Sequence, residues 1–259
     1  MKPIWVRLGL ALTWFWLQPA YSQAADRVVS LNLCTDQWLV LLAPEKDVGL
    51  SPLARDPSLS FVAATAARLP VVRASAEPVL DLHPDLVLGA RFGAQTTLGL
   101  LERAGLRVER LDMPTDFPGI RAALGAVATL LGVPERAGPL LAAMDAALPP
   151  APRSATAQPI QALVWEPRGW TSGPGTMMDA VVRAAGMVDA GSGRRVGLEA
   201  LLRHPPDLLV LPEAAAGASL ATEMLRHPAV RGIPVRSIPT TLTICPGPFT
   251  AEAVGRLER

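Results

Sequence analysis

Few side chains in this sequence are of the types that perform covalent or metal chemistry. The chain has two cysteines, Cys34 and Cys245, and three histidines, each of which is followed by a proline. Two cysteines alone cannot build a structural zinc site, and a histidine before a proline is typical of a helix end, so we expect no metal site. The cysteines leave three alternatives open: unpaired small residues, soft contacts to a ligand, or a disulfide in an exported protein.

Motifs of enzymatic chemistry do not stand out either. The sequence shows no glycine-rich phosphate loop, no Gly-x-Ser-x-Gly turn, no pair of histidines at metal-binding spacing and no evident nucleophile with a base. We therefore expect no enzymatic turnover and no cofactor.

Arginine is the side chain in this sequence best suited to hold an anionic ligand. Lys46 is the only lysine after residue 24, and a guanidinium group can donate two hydrogen bonds to one carboxylate. The arginines that we predict at strand ends are Arg55, Arg73, Arg91 and Arg195.

The tryptophans could supply an aromatic wall. Trp165 and Trp170 fall at and just after a predicted strand, where an indole ring can stack on a planar ligand. Trp38 lies within a predicted helix, and we expect it in the core. Candidate hydrogen-bonding residues are Asn32, Thr35, Thr241 and Thr243.

The first 24 residues have the pattern of a cleaved signal peptide. Lys2 and Arg7 precede an apolar run of about ten residues, and small residues precede a predicted cleavage site after Ala24. The run is too short to cross a bilayer, so we expect export to the periplasm. Without this segment the net charge falls from +1 to −1 and no basic stripe is present, which argues against nucleic-acid binding.

An internal repeat predicts the architecture. The stretch "EPVLDLHPDLVL" at 77–88 reappears as "EALLRHPPDLLVL" at 199–211, with Asp85 and Asp207 at equivalent positions. Each copy reads as a short helix that ends at His-Pro, followed by an apolar run of the kind found in strands buried on both faces. The sequence therefore predicts two α/β lobes with mostly parallel sheets, at 25–117 and 151–259.

Strands and helices alternate within each half. In the first half we predict strands at 28–31, 47–50, 87–88 and 107–111, and helices at 36–42 and 96–104. The first of these helices should have Thr35 or Asp36 as its N-cap. In the second half we predict strands at 161–165, 207–211 and 235–238 and a helix at 176–185. Between the halves, 118–150 contains helices at 120–131 and 134–148, and we expect the second to be one long, stiff connector.

The order and spacing of several segments resemble a known family. "RVVSLNLCTDQ", "EPVLDLHPDLVLGA", "WTSGPGTMMDAVVRAAG" and "LEALLRHPPDLLVLPE" resemble the periplasmic substrate-binding proteins of ABC importers for iron–siderophore complexes and cobalamin. The resemblance implies two lobes bridged by a single long helix, with a ligand held between them. It further implies a monomer that delivers an iron complex, such as a siderophore or a haem-like chelate, to a membrane permease.

Two other functions remain open. One is binding of cobalamin or another corrinoid. Cobalamin-binding members use aromatic residues at positions that align with Leu53 and Val71, neither of which is aromatic, so an iron complex is favoured. The other, from a different class, is a two-lobed sensor or adaptor that binds a protein partner.

The resemblance also assigns residues. The glutamate that opens each copy of the repeat, Glu77 and Glu199, is expected to pair with arginines of the permease. The turn Asn32–Asp36 is expected to form a wall of the ligand site that faces Cys245. The expected ligand-binding residues are Asn32, Cys34, Thr35, Arg55, Arg73, Arg91, Trp165, Trp170, Arg195, Thr243 and Cys245.

Overall fold

The computed structural model of this chain describes residues 24–150, 159–213 and 227–258. The predicted signal peptide lies outside the described residues, apart from residue 24. Among the residues that are described, no helix combines the length and apolarity needed to cross a membrane.

Two four-stranded parallel sheets form the framework. The first contains β1 (Val28–Ser30), β2 (Asp47–Gly49), β3 (Leu86–Ala90) and β4 (Val108–Leu111), in the order β2-β1-β3-β4. The second contains β5 (Gln161–Val164), β6 (Val188–Asp189), β7 (Leu208–Pro212) and β8 (Val235–Ile238), in the order β6-β5-β7-β8. The two sheets have the same topology, as the sequence repeat predicts, so the two-lobed α/β fold is confirmed.

Helices cover the sheets. Those of the first lobe are α1 (Leu33–Leu42), α2 (Ala63–Ala66), α3 (Ala76–Asp81) and α4 (Gln95–Arg103). Those that follow are α5 (Phe117–Leu130), α6 (Ala137–Ala147), α7 (Met177–Ala184), α8 (Leu198–Arg203), α9 (Thr240–Thr243) and α10 (Ala251–Glu258). The predicted strands and most predicted helices agree with these bounds to within a few residues. Gly105 and Gly186, which follow α4 and α7, have φ of +90° and +74°, conformations that glycine adopts without strain.

Both faces of each sheet are buried, which explains the unbroken apolar runs. In β3, Leu86 and Leu88 pack with α1 and α5 on one face, whereas Val87 packs with α4 on the other. The second sheet divides in the same way, with Val164 on the face of α7 and Leu163 on the face of α8. Apolar residues at successive positions are therefore required in the central strands β1, β3, β5 and β7, whereas the edge strands β4, β6 and β8 are partly exposed.

The aspartate of the repeat has the same structural role in both lobes. The carboxylate of Asp85 accepts hydrogen bonds from the backbone N–H groups of Asp26 and Arg27 at 2.9 and 3.1 Å. That of Asp207 accepts one from the N–H of Gln161 at 2.8 Å. Each aspartate thus ties the start of its own strand, β3 or β7, to the start of the neighbouring strand, β1 or β5.

The predicted helix at 134–148 is present, but it is not a single bridge, because α5 also contacts both lobes. The segment opens with a 3-10 turn, Pro134–Arg136, and continues as the 11-residue α6, whereas α5 has 14 residues. α5 contributes Leu124 to the core of the first lobe and Ile120 to that of the second. α6 does the same with Ala137 and Met144. Gly132 and Pro134 separate α5 from α6, as the sequence predicts, but the sequence does not show that both helices contact the two lobes.

Candidate functional site

The carboxyl ends of the strands define the candidate site. In each sheet the strand order reverses direction beside the first strand of the lobe, between β1 and β3 and between β5 and β7. Open α/β sheets bind ligands outside the carboxyl ends of their strands, at such switch points. The Cys34–Cys245 disulfide joins a residue that follows β1 to one that follows β8. The carboxyl edges of the two sheets, where their strands end, therefore face each other.

Several exposed apolar side chains lie along these edges. Leu53, Val71 and Phe92 follow strands of the first lobe and are 50, 39 and 56 % exposed. Trp170 and Ile244 follow strands of the second lobe and are 48 and 43 % exposed. Large apolar side chains left accessible on facing edges form the kind of surface that buries a ligand.

In the first lobe, the loop after β3 presents Phe92 beside Arg91. The side chain of Gln95 donates hydrogen bonds to the carbonyl oxygens of Ala90 and Gly93 at 2.7 and 2.8 Å, which closes the loop. Ala94 adopts a left-handed conformation with φ +47°, a costly one for a residue with a Cβ atom. Arg91 is exposed and its Nε atom donates to Asp112. The sequence analysis missed Phe92, although an aromatic residue directly after a buried strand was a usable signal.

In the second lobe, Trp170 is presented by a similarly closed loop. The N–H of Glu166 donates to the carbonyl oxygen of Trp170 at 2.7 Å, and Nε of Arg195 donates to that of Arg168 at 3.1 Å. Arg168 has φ +64°. Exposed Trp170 and exposed Arg195 are therefore adjacent, as their backbone bridge also shows.

Trp165 does not lie on this edge, in contrast to the expectation. It is 1 % exposed and packs in the core of the second lobe with Leu201 and Leu209. Trp165 directly follows the last residue of β5 and is buried like the strand itself. Trp170 lies farther along the loop and is exposed.

The start of α1 also differs from the expectation. The helix begins at Leu33, and its N-cap is Asn32, whose side chain accepts a hydrogen bond from the N–H of Cys34 at 2.9 Å. The expected turn at Asn32–Asp36 is therefore the first turn of a helix, and neither Thr35 nor Asp36 is its cap. Asparagine is among the best N-cap residues, but the apolar residues that follow it concealed the helix start.

Three expected ligand contacts are buried at this place. Thr35 is fully buried and its hydroxyl lies 2.7 Å from that of Ser30. Cys34 and Cys245 are 5 and 1 % exposed and are bonded to each other, with Cα atoms 5.1 Å apart. Of the three alternatives for the cysteines, the structure has the disulfide, and the sulfur atoms are enclosed by Leu33, Leu59 and Met113.

The remaining candidates occupy varied positions. Arg55 is held by the backbone, because its guanidinium donates to the carbonyl oxygens of Ala66 and Leu69. Arg73 is exposed on the segment that follows Val71, and Thr243 is partly buried in α9. Their roles in ligand binding stay predictions.

Asp36, which was expected as an N-cap candidate and in the wall of the site, is instead a buried carboxyl group. It is fully buried and accepts hydrogen bonds from the backbone N–H of Ser51, at 3.2 Å, and from the Ser51 hydroxyl. Burial raises its pKa to about 7, a shift that hydrogen bonds from Ser30 and Ser51 oppose. Burial also raises the pKa of Asp47, in the adjacent β2, to about 6.

Glu77 and Glu199 lie on the same side of the molecule as the candidate site. Each is in the first turn of its helix, α3 or α8, and each is exposed. Because these helices lead into the amino ends of β3 and β7, their own first turns lie toward the carboxyl edges. At the other end of α3, the carbonyl oxygen of His83 accepts a hydrogen bond from Nε of Arg27, beside the amino end of β1.

Within the described ranges, no group of three or more histidine, cysteine, aspartate or glutamate side chains is arranged to hold a metal ion. The candidate site thus combines aromatic and aliphatic surface with arginines.

Comparisons with known proteins agree with this geometry. A family model described as periplasmic binding protein matches residues 28–235. A solved periplasmic haem-binding protein, BhuT, in complex with two haems, is 27% identical with a TM-score of 0.68, covering 91% of this chain and 98% of that chain. A comparison with curated proteins found no match.

Two further solved structures share the fold. The haem-binding protein RhuT from Roseiflexus sp. RS-1 has 22% identity and a TM-score of 0.72, and covers 91% of this chain and 98% of that one. The vitamin B12 binding protein BtuF of Vibrio cholerae has 19% identity and a TM-score of 0.65, covering 90% and 95%. At these identities the likeness shows the fold alone. The family model, by contrast, matches most of the chain, which therefore belongs to the family of periplasmic binding proteins and is similar to those that serve ABC importers of haem, siderophores and vitamin B12.

Proposed function

We propose that this protein is the periplasmic solute-binding component of an ABC importer that captures an iron complex, either a siderophore or a haem-like chelate, and delivers it to the permease. The ligand is held between the lobes and is not chemically altered. The expectation that the protein is a binding protein and not an enzyme is part of this proposal.

The observation that carries the proposal is the same pairing in both lobes. Phe92 and Arg91 follow β3, and Trp170 lies beside Arg195 in the loops after β5 and β6. An exposed aromatic ring next to a guanidinium group suits a ligand with aromatic faces and anionic oxygens, such as haem with its carboxylates or a ferric tris-catecholate. In both arginines Nε bonds the protein, and a guanidinium has four other N–H donors.

A ligand screen tests the proposal directly. The secreted protein is titrated with haemin, a ferric tris-catecholate, a ferric tris-hydroxamate and cyanocobalamin, and binding is followed by tryptophan fluorescence and confirmed by equilibrium dialysis. We expect tight binding of one of the three iron complexes. Binding of cyanocobalamin alone would instead support the corrinoid alternative, and binding of none would favour a sensor or adaptor.

Single substitutions then test the residues. For the iron complex that binds, Arg91→Ala and Arg195→Ala should each raise the Kd about tenfold or more, because each removes charge-assisted hydrogen bonds worth about 1.5–3 kcal/mol. Arg103→Ala, which removes an exposed arginine from the last turn of α4, is the matched control and should leave the Kd unchanged. Equal effects of all three substitutions would contradict the assignment.

A further inference from the structure

The first turn of α1 connects an unusual number of separate segments. Five successive side chains, Cys34 to Trp38, are all buried, and each is bonded to a different residue elsewhere in the chain. The hydroxyl groups of Thr35 and Ser30, which is in β1, are hydrogen-bonded to each other. Asp36 accepts hydrogen bonds from Ser51, which follows β2. The partners of these five residues are, in order, Cys245, Ser30, Ser51, Phe61 and Pro246.

Two of these connections lead to the exposed apolar residues of the candidate site. Ser51 is the N-cap of the 3-10 turn Pro52–Arg55, which carries exposed Leu53 on the first-lobe edge. Cys245 directly follows Ile244, which is exposed on the second-lobe edge. One helical turn therefore sets the position of side chains on both edges.

Noncovalent contacts surround the disulfide. Nε1 of Trp38 donates a hydrogen bond to the carbonyl oxygen of Pro246 at 2.9 Å. The rings of Phe61 and Phe249 stack with centroids 4.4 Å apart and planes 14° from parallel. Like the disulfide, both contacts join the first lobe to the segment that follows β8.

The packing around these contacts is incomplete. An apolar pocket of about 160 Å³ lies between the lobes and is lined by residues that include Leu41, Phe61, Met144 and Phe249. The pocket is open to solvent, and the atoms that line it have fewer dispersion partners than atoms in a filled interface. The noncovalent contacts alone are therefore a weaker restraint on the lobes than a filled interface would be.

We propose that the Cys34–Cys245 disulfide is a positioning element of the ligand site, which fixes the separation of the two edges and so keeps the site in a binding-competent geometry. The bond restrains Ile244 because Cys245 directly follows it in the chain. It restrains Leu53 because α1 is hydrogen-bonded to Ser51, which caps the turn that carries Leu53. A fixed separation lowers the conformational cost of binding, because fewer orientations of the lobes are lost when the ligand is captured. This inference rests on the proposed function only in taking the facing edges as the ligand site.

The first test needs no ligand. Reduction of the oxidised protein by a water-soluble phosphine yields two thiols and the phosphine oxide, with the oxygen supplied by water. We expect a larger radius of gyration by small-angle scattering after reduction. In the Trp170→Phe variant we also expect stronger acrylamide quenching of Trp38, which is 1 % exposed at the lobe contact, whereas Trp165 lies in the core of the second lobe.

The controls separate positioning from a general loss of structure. The double variant Cys34→Ser/Cys245→Ser should reproduce the changes, and adding the phosphine to it should have no further effect. Far-UV circular dichroism should stay the same, because each lobe has its own core. Reoxidation of the wild type with diamide should restore the original scattering and quenching. Reversal on reforming the bond would link the changes to the disulfide and not to a general loss of structure.

The second test uses haemin as the probe. Its Kd, from absorption titration, should rise about tenfold on reduction or in the double variant and return on reoxidation. If scattering and quenching do not change when the bond is broken, the positioning role is refuted, whether or not haemin binds. If scattering and quenching change but the haemin Kd does not, the bond positions the lobes but not the ligand site. The proposed role in the ligand site is then refuted. Failure of haemin to bind even the oxidised protein, with the ligand-free changes present, counts against haem in the proposed function and not against the role of the disulfide.

Discussion

Asp36 is a buried titratable residue beside the junction between the lobes. It lies in the first turn of α1, two residues from Cys34, and holds Ser51 through the backbone N–H and the hydroxyl. Its carboxyl group is desolvated, and its pKa is raised from 3.8 to about 7. The neutral form therefore predominates in the folded protein at mildly acidic pH, while the same group in an unfolded chain is ionised.

This shift predicts the sign of the pH dependence of stability. Between pH 4 and 7 the folded state keeps a proton on Asp36 that the unfolded chain has released, so the free energy of unfolding should fall as the pH rises. The slope approaches about 1.4 kcal/mol per pH unit for one such group. Asp47, with a pKa raised to about 6, acts in the same direction.

Urea denaturation of wild type and Asp36→Asn at pH 4, 5.5 and 7 measures this dependence. The asparagine variant cannot ionise, so its free energy of unfolding should vary less over this range, with the remaining slope due mainly to Asp47. Asp81→Asn, which changes an exposed carboxylate at the end of α3, should keep the wild-type slope. Parallel pH profiles for wild type and Asp36→Asn would show that the carboxyl group is not held neutral.

At the residue scale, the sequence could identify side-chain types but not the directions in which the side chains point. Trp165 and Trp170 were equivalent candidates by type and position, yet one is buried in a core and the other is about half exposed. The difference depends on the loop, in which Arg168 and Gly169 both have positive φ. Arginine rarely adopts that conformation, so no local pattern announces it. The cysteine pairing was equally undetermined, because the two residues are 211 positions apart.

At the scale of elements, the repeat was the most informative feature of the sequence. Apolar runs and Gly-terminated helices predicted both sheets because local patterns reflect burial on both faces. The connecting segment was predicted less well, since the sequence does not show that α5, as well as α6, contributes side chains to both cores. The equivalent roles of Asp85 and Asp207 could not be read from the sequence, because their partners are backbone groups of a distant strand.

The hydrogen bonds of Asp85 and Asp207 predict how much each aspartate contributes to stability. Asp85→Ala removes the acceptor for two backbone N–H groups and should lower the free energy of unfolding by about 1–2 kcal/mol. Asp207→Ala removes one such acceptor and should cost less, about 1 kcal/mol. Asp81→Ala, four residues before Asp85, is the control and should cost at most a few tenths of a kcal/mol. The order of the three losses in urea denaturation is the check, and a larger loss for Asp207→Ala than for Asp85→Ala would contradict it.

At the scale of the whole molecule, two connections join the lobes at different places. α5 and α6 contribute side chains to both cores, and the first turn of α1 is bonded to the segment that follows β8. Two separate connections restrict rotation of one lobe against the other more than a single hinge does. The exposed carboxylates of Glu77 and Glu199, one on each lobe, are therefore held at a defined separation, which a docking partner of fixed geometry requires.

Charge reversal tests whether these two carboxylates dock the protein on its permease. Glu77→Arg combined with Glu199→Arg should abolish uptake in cells, because both lobes would then present like charges to the arginines expected on the permease. Each single variant should retain partial uptake. The Kd for the iron complex, measured on the purified double variant, should stay within about twofold of wild type, since both side chains are on helices and not in the loops that carry the proposed ligand contacts. The double variant Asp81→Arg/Glu252→Arg carries the same change in net charge on exposed residues of α3 and α10 and should transport normally. Loss of uptake in that control would show an effect of net charge alone, and a parallel fall in ligand affinity in Glu77→Arg/Glu199→Arg would place the two glutamates in the ligand site instead of the docking surface.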